Sequence, residues 1–264
     1  MRVFDRTSQL SVELSTDLAI LKDVDSISVT VAGPSGTSLY ELGPAGLQLP
    51  DSIFMEGIIF AADQTGLPPD RKADVTVTAW KGVAPITVTR AVGVFPYQEG
   101  WRVMRMSLSW LCAGTAREVA PGRVESTCPS GQSCRAGVCR SEDRTAETLP
   151  VWDPQHRPAC FDIAKCMASA PSVSVDLATC TVSMVGATNF AVVKPPGTQG
   201  VCTPNSCLVP LSNDPVEGWT VIDGKVALPP AVCGALNDGR ATAVTASSVC
   251  PTWSPDQRPC GTTP

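Results

Sequence analysis

Twelve cysteines and a single histidine in 264 residues constrain this chain more than any other feature. The cysteines are Cys112, Cys128, Cys134, Cys139, Cys160, Cys166, Cys180, Cys202, Cys207, Cys233, Cys250 and Cys260, and none precedes residue 112. Zinc sites tend to pair close cysteines with histidine, but the tightest spacings here are C-x4-C and His156 stands alone in a proline-rich stretch. No C-x-x-C occurs, which removes thioredoxin-like and haem-attachment readings. Gly, Pro, Ser and Asn flank most of the cysteines, giving turns that bring sulfurs to bridging distance. The expectation is six disulfides and no metal, with a partly reduced or metal-bound set as the alternative. Such bridges persist only where thiols are not kept reduced. The chain is therefore expected outside the cell or on its outer surface. The opening MRVFDRTSQLSVEL has no apolar signal core, so Met1 is not expected to be the native start.

Bulk properties narrow the partners. Hydrophobic residues make up 43% of the chain, enough for real cores. The formal net charge is −5 and no basic block occurs, which argues against nucleic acid. No apolar run is long enough to span a membrane.

Hydrophobic alternation predicts an all-β fold. In SQLSVEL, DSISVTVAG, DVTVTAW, APITVTRAV and WRVMRMSLSW, apolar residues recur at period two, with turn signals between them. SLYEL and SIFMEGIIF are weaker candidates. Residues 1–111 thus read as an Ig-like or transthyretin-like β-sandwich of about seven strands. Residues 112–139 form a module too small for its own core, stapled by four cysteines. Three pairings are open, and we favour the interlocked one, Cys112 with Cys134 and Cys128 with Cys139. Residues 140–158 read as a linker, charged first and proline-rich later. Residues 159–264 read as a disulfide-rich β domain. It carries a hairpin at Asp223-Gly224 and one short helix across 229–239, stopped by Gly239.

These elements resemble predicted cysteine-rich surface lipoproteins of gliding bacteria, a family without an established activity. The resemblance lies in STDLAILKDVDSISVTVAGPSG, in CAG…STCPSGQSCRAGVCRSED, in LPVW, and in GTQGVCTPNSCLVPL with LPPAVCGAL and the later CP…PCG. It implies a bacterial surface protein whose lipid anchor would lie upstream of Met1, and it offers no catalytic residues to transfer.

Chemistry-bearing constellations are sparse. A nucleophilic hydrolase needs a base beside its nucleophile, and His156 is the only imidazole, with no G-x-S-x-G turn. Asp214, Glu217, Asp223 and Asp238 are candidates for a carboxylate pair, but all sit in turn sequences such as SNDPVEG, IDG and NDG. Phosphate-binding glycine loops are absent, and no cofactor is expected. Among Trp152, Trp219 and Trp253, the first is in the linker. Trp219 reads as core, while Trp253 in CPTWSPDQRPC reads as the most exposed. Trp253 with Asp256 and Arg258 is the expected ligand-binding face. The expected function is a secreted or cell-surface structural or adhesive binding protein, not an enzyme. The alternative is a carbohydrate-binding module that assists polysaccharide attachment or degradation. Its partners would be a surface glycan, a protein, or further copies of itself.

Overall fold

The structure is a computed structural model that describes residues 9–18, 22–33, 36–43, 55–61, 70–96, 101–145, 149, 160–167, 169–183, 186, 188–198, 201–202, 204–254 and 257. Seven strands come first: β1 (Gln9–Thr16), β2 (Ser26–Gly33), β3 (Gly36–Leu42), β4 (Met55–Ala61), β5 (Asp70–Lys81), β6 (Ala84–Pro96) and β7 (Trp101–Leu108). They form two sheets, ordered β4-β1-β7 and β6-β5-β2-β3. β1 runs parallel to β7 and antiparallel to β4. The period-two residues close the space between the sheets. Val12 and Leu14 from β1 and Met104, Met106 and Leu108 from β7 pack with Ile27, Val29 and Val31 from β2 and Val75 and Val77 from β5. Each such fully buried side chain contributes roughly 1.5–3 kcal/mol. Gly82, in the left-handed region, makes the tight β5–β6 turn, and its N–H donates to the Asp25 carboxylate.

The four-cysteine module begins at a 310 turn, Trp110–Cys112, whose Leu111 N–H donates to the Ser109 hydroxyl. Two hairpins follow: β8 (Ala116–Ala120) with β9 (Arg123–Ser126), and β10 (Gln132–Arg135) with β11 (Val138–Ser141). Cys112 bonds Cys134 and Cys128 bonds Cys139, which is the interlocked pairing. The module docks on β6: the buried Ser133 hydroxyl meets both the N–H and the carbonyl of Arg90. β12 (Asp143–Thr145), in the stretch that the sequence reads as linker, adds a parallel strand beside β6.

The C-terminal part contains α1 (Ile163–Met167), β13 (Ser172–Val173), β14 (Val175–Asp176), β15 (Thr181–Ser183), β16 (Asn189–Lys194), β17 (Val201–Cys202), β18 (Cys207–Leu211), β19 (Thr220–Ile222), β20 (Lys225–Ala227), α2 (Pro230–Asn237) and β21 (Ala243–Ser247). Its sheets are ordered β13-β21-β16-β18-β17 and β14-β15-β20-β19. Phe190, Val192, Val209 and Val244 of the first meet Val182 and Val226 of the second in the core. Asp223 and Gly224 both adopt positive φ, as the β19–β20 hairpin turn requires. α2 starts on Pro230 and is followed by Gly239 at φ +77°. The sequence expectation of a single helix needs correction. α1 is too short for a periodic signal, and it forms because Asp162 accepts the Lys165 N–H while Ile163, Cys166 and Met167 bury.

Three more bridges fasten this part: Cys166–Cys250, Cys180–Cys233 and Cys202–Cys207. Cys160 is also disulfide-bonded, whereas Cys260 lies outside the described residues. The chain is thus an all-β, disulfide-rich fold with two short α-helices among the described residues. One apolar cluster runs from Val12 through Trp110, Leu111 and Ala136 to Val232 and Val244, so both sandwiches and the module share it.

Candidate functional site

Three places bring chemistry-bearing side chains together. The first surrounds Trp253, in an irregular segment after β21. Its backbone N–H donates to Oδ1 of the buried Asn189 at 2.8 Å, and its carbonyl accepts from the Asn213 N–H at 3.0 Å. Its indole Nε1–H donates to the Gln257 carbonyl at 2.8 Å. Phe161 stacks against the ring with centroids 5.6 Å apart. The indole is thus half-buried, with its donor engaged and one face occupied. Asp256 and Arg258 lie outside the described residues, as do Trp152 and His156. Asn189, which the sequence reading missed, organises this corner. Its Nδ2 donates to the carbonyls of Cys250 and Pro251, tying the final segment to β16.

The second place is a pocket of about 360 Å³ between the two C-terminal sheets. Val173, Val182, Phe190 and Ala246 give it apolar walls, and Ser183 and Ser248 add hydroxyls. Its volume falls at the lower end of the range for small-ligand sites. No ionisable side chain is among the described lining residues, so these walls favour a neutral, largely apolar guest and supply no acid or base.

The third place is the junction between the sandwich and the C-terminal part. The Asp17 carboxylate accepts from the Trp110 N–H and, at 3.1 Å, from the Ser109 hydroxyl. The Lys194 ammonium, at the buried end of β16, sits 3.7 Å over the Trp110 ring, with the Arg240 guanidinium 5.9 Å away. Asp17 keeps some open surface as a residue, but its carboxyl lies deep, and desolvation pushes its pKa up to about 6 despite the two donors. Desolvation likewise brings Lys194 down to about 8, opposed by the charges of Asp17 and Asp23. Distance in sequence hides this cluster. A hint lay in NFAVVK, where a lysine closes an otherwise apolar strand.

Three of the four turn carboxylates are engaged, and Asp223 is exposed in the β19–β20 turn. Asp214 accepts from the N–H groups of Val216 and Glu217. Glu217 pairs with Arg135 of the four-cysteine module. Arg240 donates to Asp238 and holds its carboxyl below the usual range. Trp219 is core, packed edge-on against Phe190 with centroids 5.0 Å apart. Among the described residues, no three His, Cys, Asp or Glu side chains gather as a metal site would require. No family model, curated protein or solved structure matches the chain.

Five disulfides are formed among the described cysteines, and no described helix is long and apolar enough to cross a membrane. The bridges fit an extracellular or surface protein.

Proposed function

We propose that this chain is a secreted or cell-surface structural or adhesive protein that works by binding rather than by catalysis. The bridge network carries the reading. Each described cysteine is bonded, and the bridges fasten the module, both C-terminal sheets and both helices. Crosslinks so placed resist unfolding and proteolysis where chaperones are absent. Asp214, Glu217 and Asp238 are held in caps and ion pairs, a pattern that favours a passive scaffold over a hydrolase. In the glycan-binding alternative, Trp253 would offer the ring face that Phe161 does not cover, its donor being used already.

Intact mass of protein purified without reductant, measured before and after alkylation, tests the compartment. No alkylation is expected before reduction and twelve additions after it. Free thiols throughout would sink the proposal. Protease accessibility on intact source cells tests display, with loss of the protein signal as the supporting result. A glycan array with the wild type and Trp253→Ala separates the alternative, which needs binding that the substitution abolishes.

A further inference from the structure

Sheet edges that pair with nothing are a hazard, and folded proteins blunt them with short strands, bulges, charges or cover. Most edges here follow that rule. β12 has three residues, two of them charged, and β19 has three; β13, β14 and β17 have two each. The pairing of β4 with β1 is interrupted by a register shift between Val12 and Leu14. β7 is long, but Val103, Met104, Met106 and Leu108 are all buried.

β3 breaks the rule. Its seven residues pair with β2 in an unbroken register from Ile27↔Leu42 to Gly33↔Gly36, and among the described residues no strand takes its other side. Thr37, Ser38, Leu39, Tyr40 and Glu41 are all exposed, Leu39 at 60% and Tyr40 at 40%. Tyr40 is paired with the buried Val29, which puts it on the core-facing side of the sheet. The stretch TSLYE holds no proline and a single charge. It keeps the regular, sparsely charged character that native edges avoid.

We propose that β3 is a self-association edge, on which a second copy of this chain adds its own β3 antiparallel, making the two sheets continuous. The strand is self-complementary. A two-fold axis through the sheet must set like faces opposite each other, so the centre falls on a residue. Centred on Leu39, Leu39 meets its copy and Glu41 meets Thr37. Centred on Tyr40, Tyr40 meets its copy and Leu39 meets Glu41. Neither arrangement opposes Glu41 to Glu41, and backbone hydrogen bonds along the edge supply the affinity. This inference stands apart from the compartment reading.

Sedimentation velocity of the full chain over a concentration series is the test, with three proteins. The wild type is expected to shift from monomer to dimer as concentration rises. Leu39→Lys/Glu41→Lys places like charges opposite in either register and is expected to remain monomeric. Leu39→Glu does the same with acids. Mixing these two variants is expected to restore a dimer, because in either register every pair of opposed charges is then a cation facing an acid. A wild type that is monomeric at its highest soluble concentration overturns the proposal. A dimer that survives in each variant alone, or variants that do not reassociate on mixing, also overturns it. Both substituted positions, Leu39 and Glu41, are exposed, and matching thermal melts guard against misfolding as the cause.

Discussion

Asp17 shows how one side chain couples the molecule to pH. The fold raises its pKa to about 6, so it favours the protonated acid. Its contribution is therefore full below the ordinary carboxylate range and is lost as pH rises toward and through 6. The difference amounts to at most about 3 kcal/mol. Asp17→Asn keeps an acceptor for the Trp110 N–H and has no such titration. The stability difference between wild type and variant, read from urea unfolding at pH 4 and pH 7, should shift toward the variant at pH 7 by about 2–3 kcal/mol. An unchanged difference would mean that the carboxyl is solvated. Gly137 gives a second test. It sits at φ +79°, and a Cβ there would lie 2.0 Å from the Cβ of Ala231 on α2. Gly137→Ala should cost about 2–4 kcal/mol through backbone strain and overpacking. Adding Ala231→Gly should recover only the overpacking part, so equilibrium unfolding of the single and double variants separates the two. The candidate-site residues were poorly legible in the sequence for a physical reason. Asp17, Trp110 and Lys194 matter through contact, and a linear reading shows residue type and spacing but not which distant residues touch. Trp253 was visible as an aromatic among turn formers, but Asn189, which orients its backbone, carries no signal of its own.

Elements are where the sequence spoke most clearly, and the bridges among them differ in weight. Cys166–Cys250 closes 84 residues and joins α1 to the segment after β21, whereas Cys202–Cys207 closes five within the β17–β18 hairpin. Loop-closure entropy makes the first worth about 4–5 kcal/mol and the second about 2 kcal/mol. Paired Cys→Ala substitutions at each bridge, compared by denaturant midpoint at equal slope, should preserve that order. A larger loss from the short bridge would show that native-state packing, not chain entropy, sets their value. Alternation made β2, β5, β6 and β7 legible, because a strand covered on one face repeats every second residue. The Asp223-Gly224 turn and the Gly239 stop were legible because few residues tolerate positive φ. Pairing order was not: the parallel alignment of β1 with β7 and of β12 with β6 depends on partners remote in sequence. α1 escaped notice because five residues complete barely more than one turn.

At the scale of the whole molecule, the question is whether the two sandwiches behave as beads on a string or as one body. Independent domains would each close their own core and meet through a wet, polar surface. Here the apolar cluster is continuous through Trp110, which is 3% exposed and stands between β7 and the module. Lys194 of β16 covers its ring, Asp17 holds its backbone, and the Arg135–Glu217 pair adds a second tie between the module and the loop before β19. Gly137 lets the module approach α2 closely enough that a methyl group would not fit. Opening the junction would expose this surface and break the module's packing on both sides. The expected outcome is a single calorimetric transition for the full chain, with its van't Hoff and calorimetric enthalpies equal. Trp110→Ala removes the shared aromatic at a cost of about 3–5 kcal/mol, and should split that transition into two. Lys194→Met keeps the apolar stem over the ring while removing the charge, and should leave one transition. Two transitions in the wild type would mean that the shared cluster does not couple the sandwiches. The junction chemistry would then be local to each side.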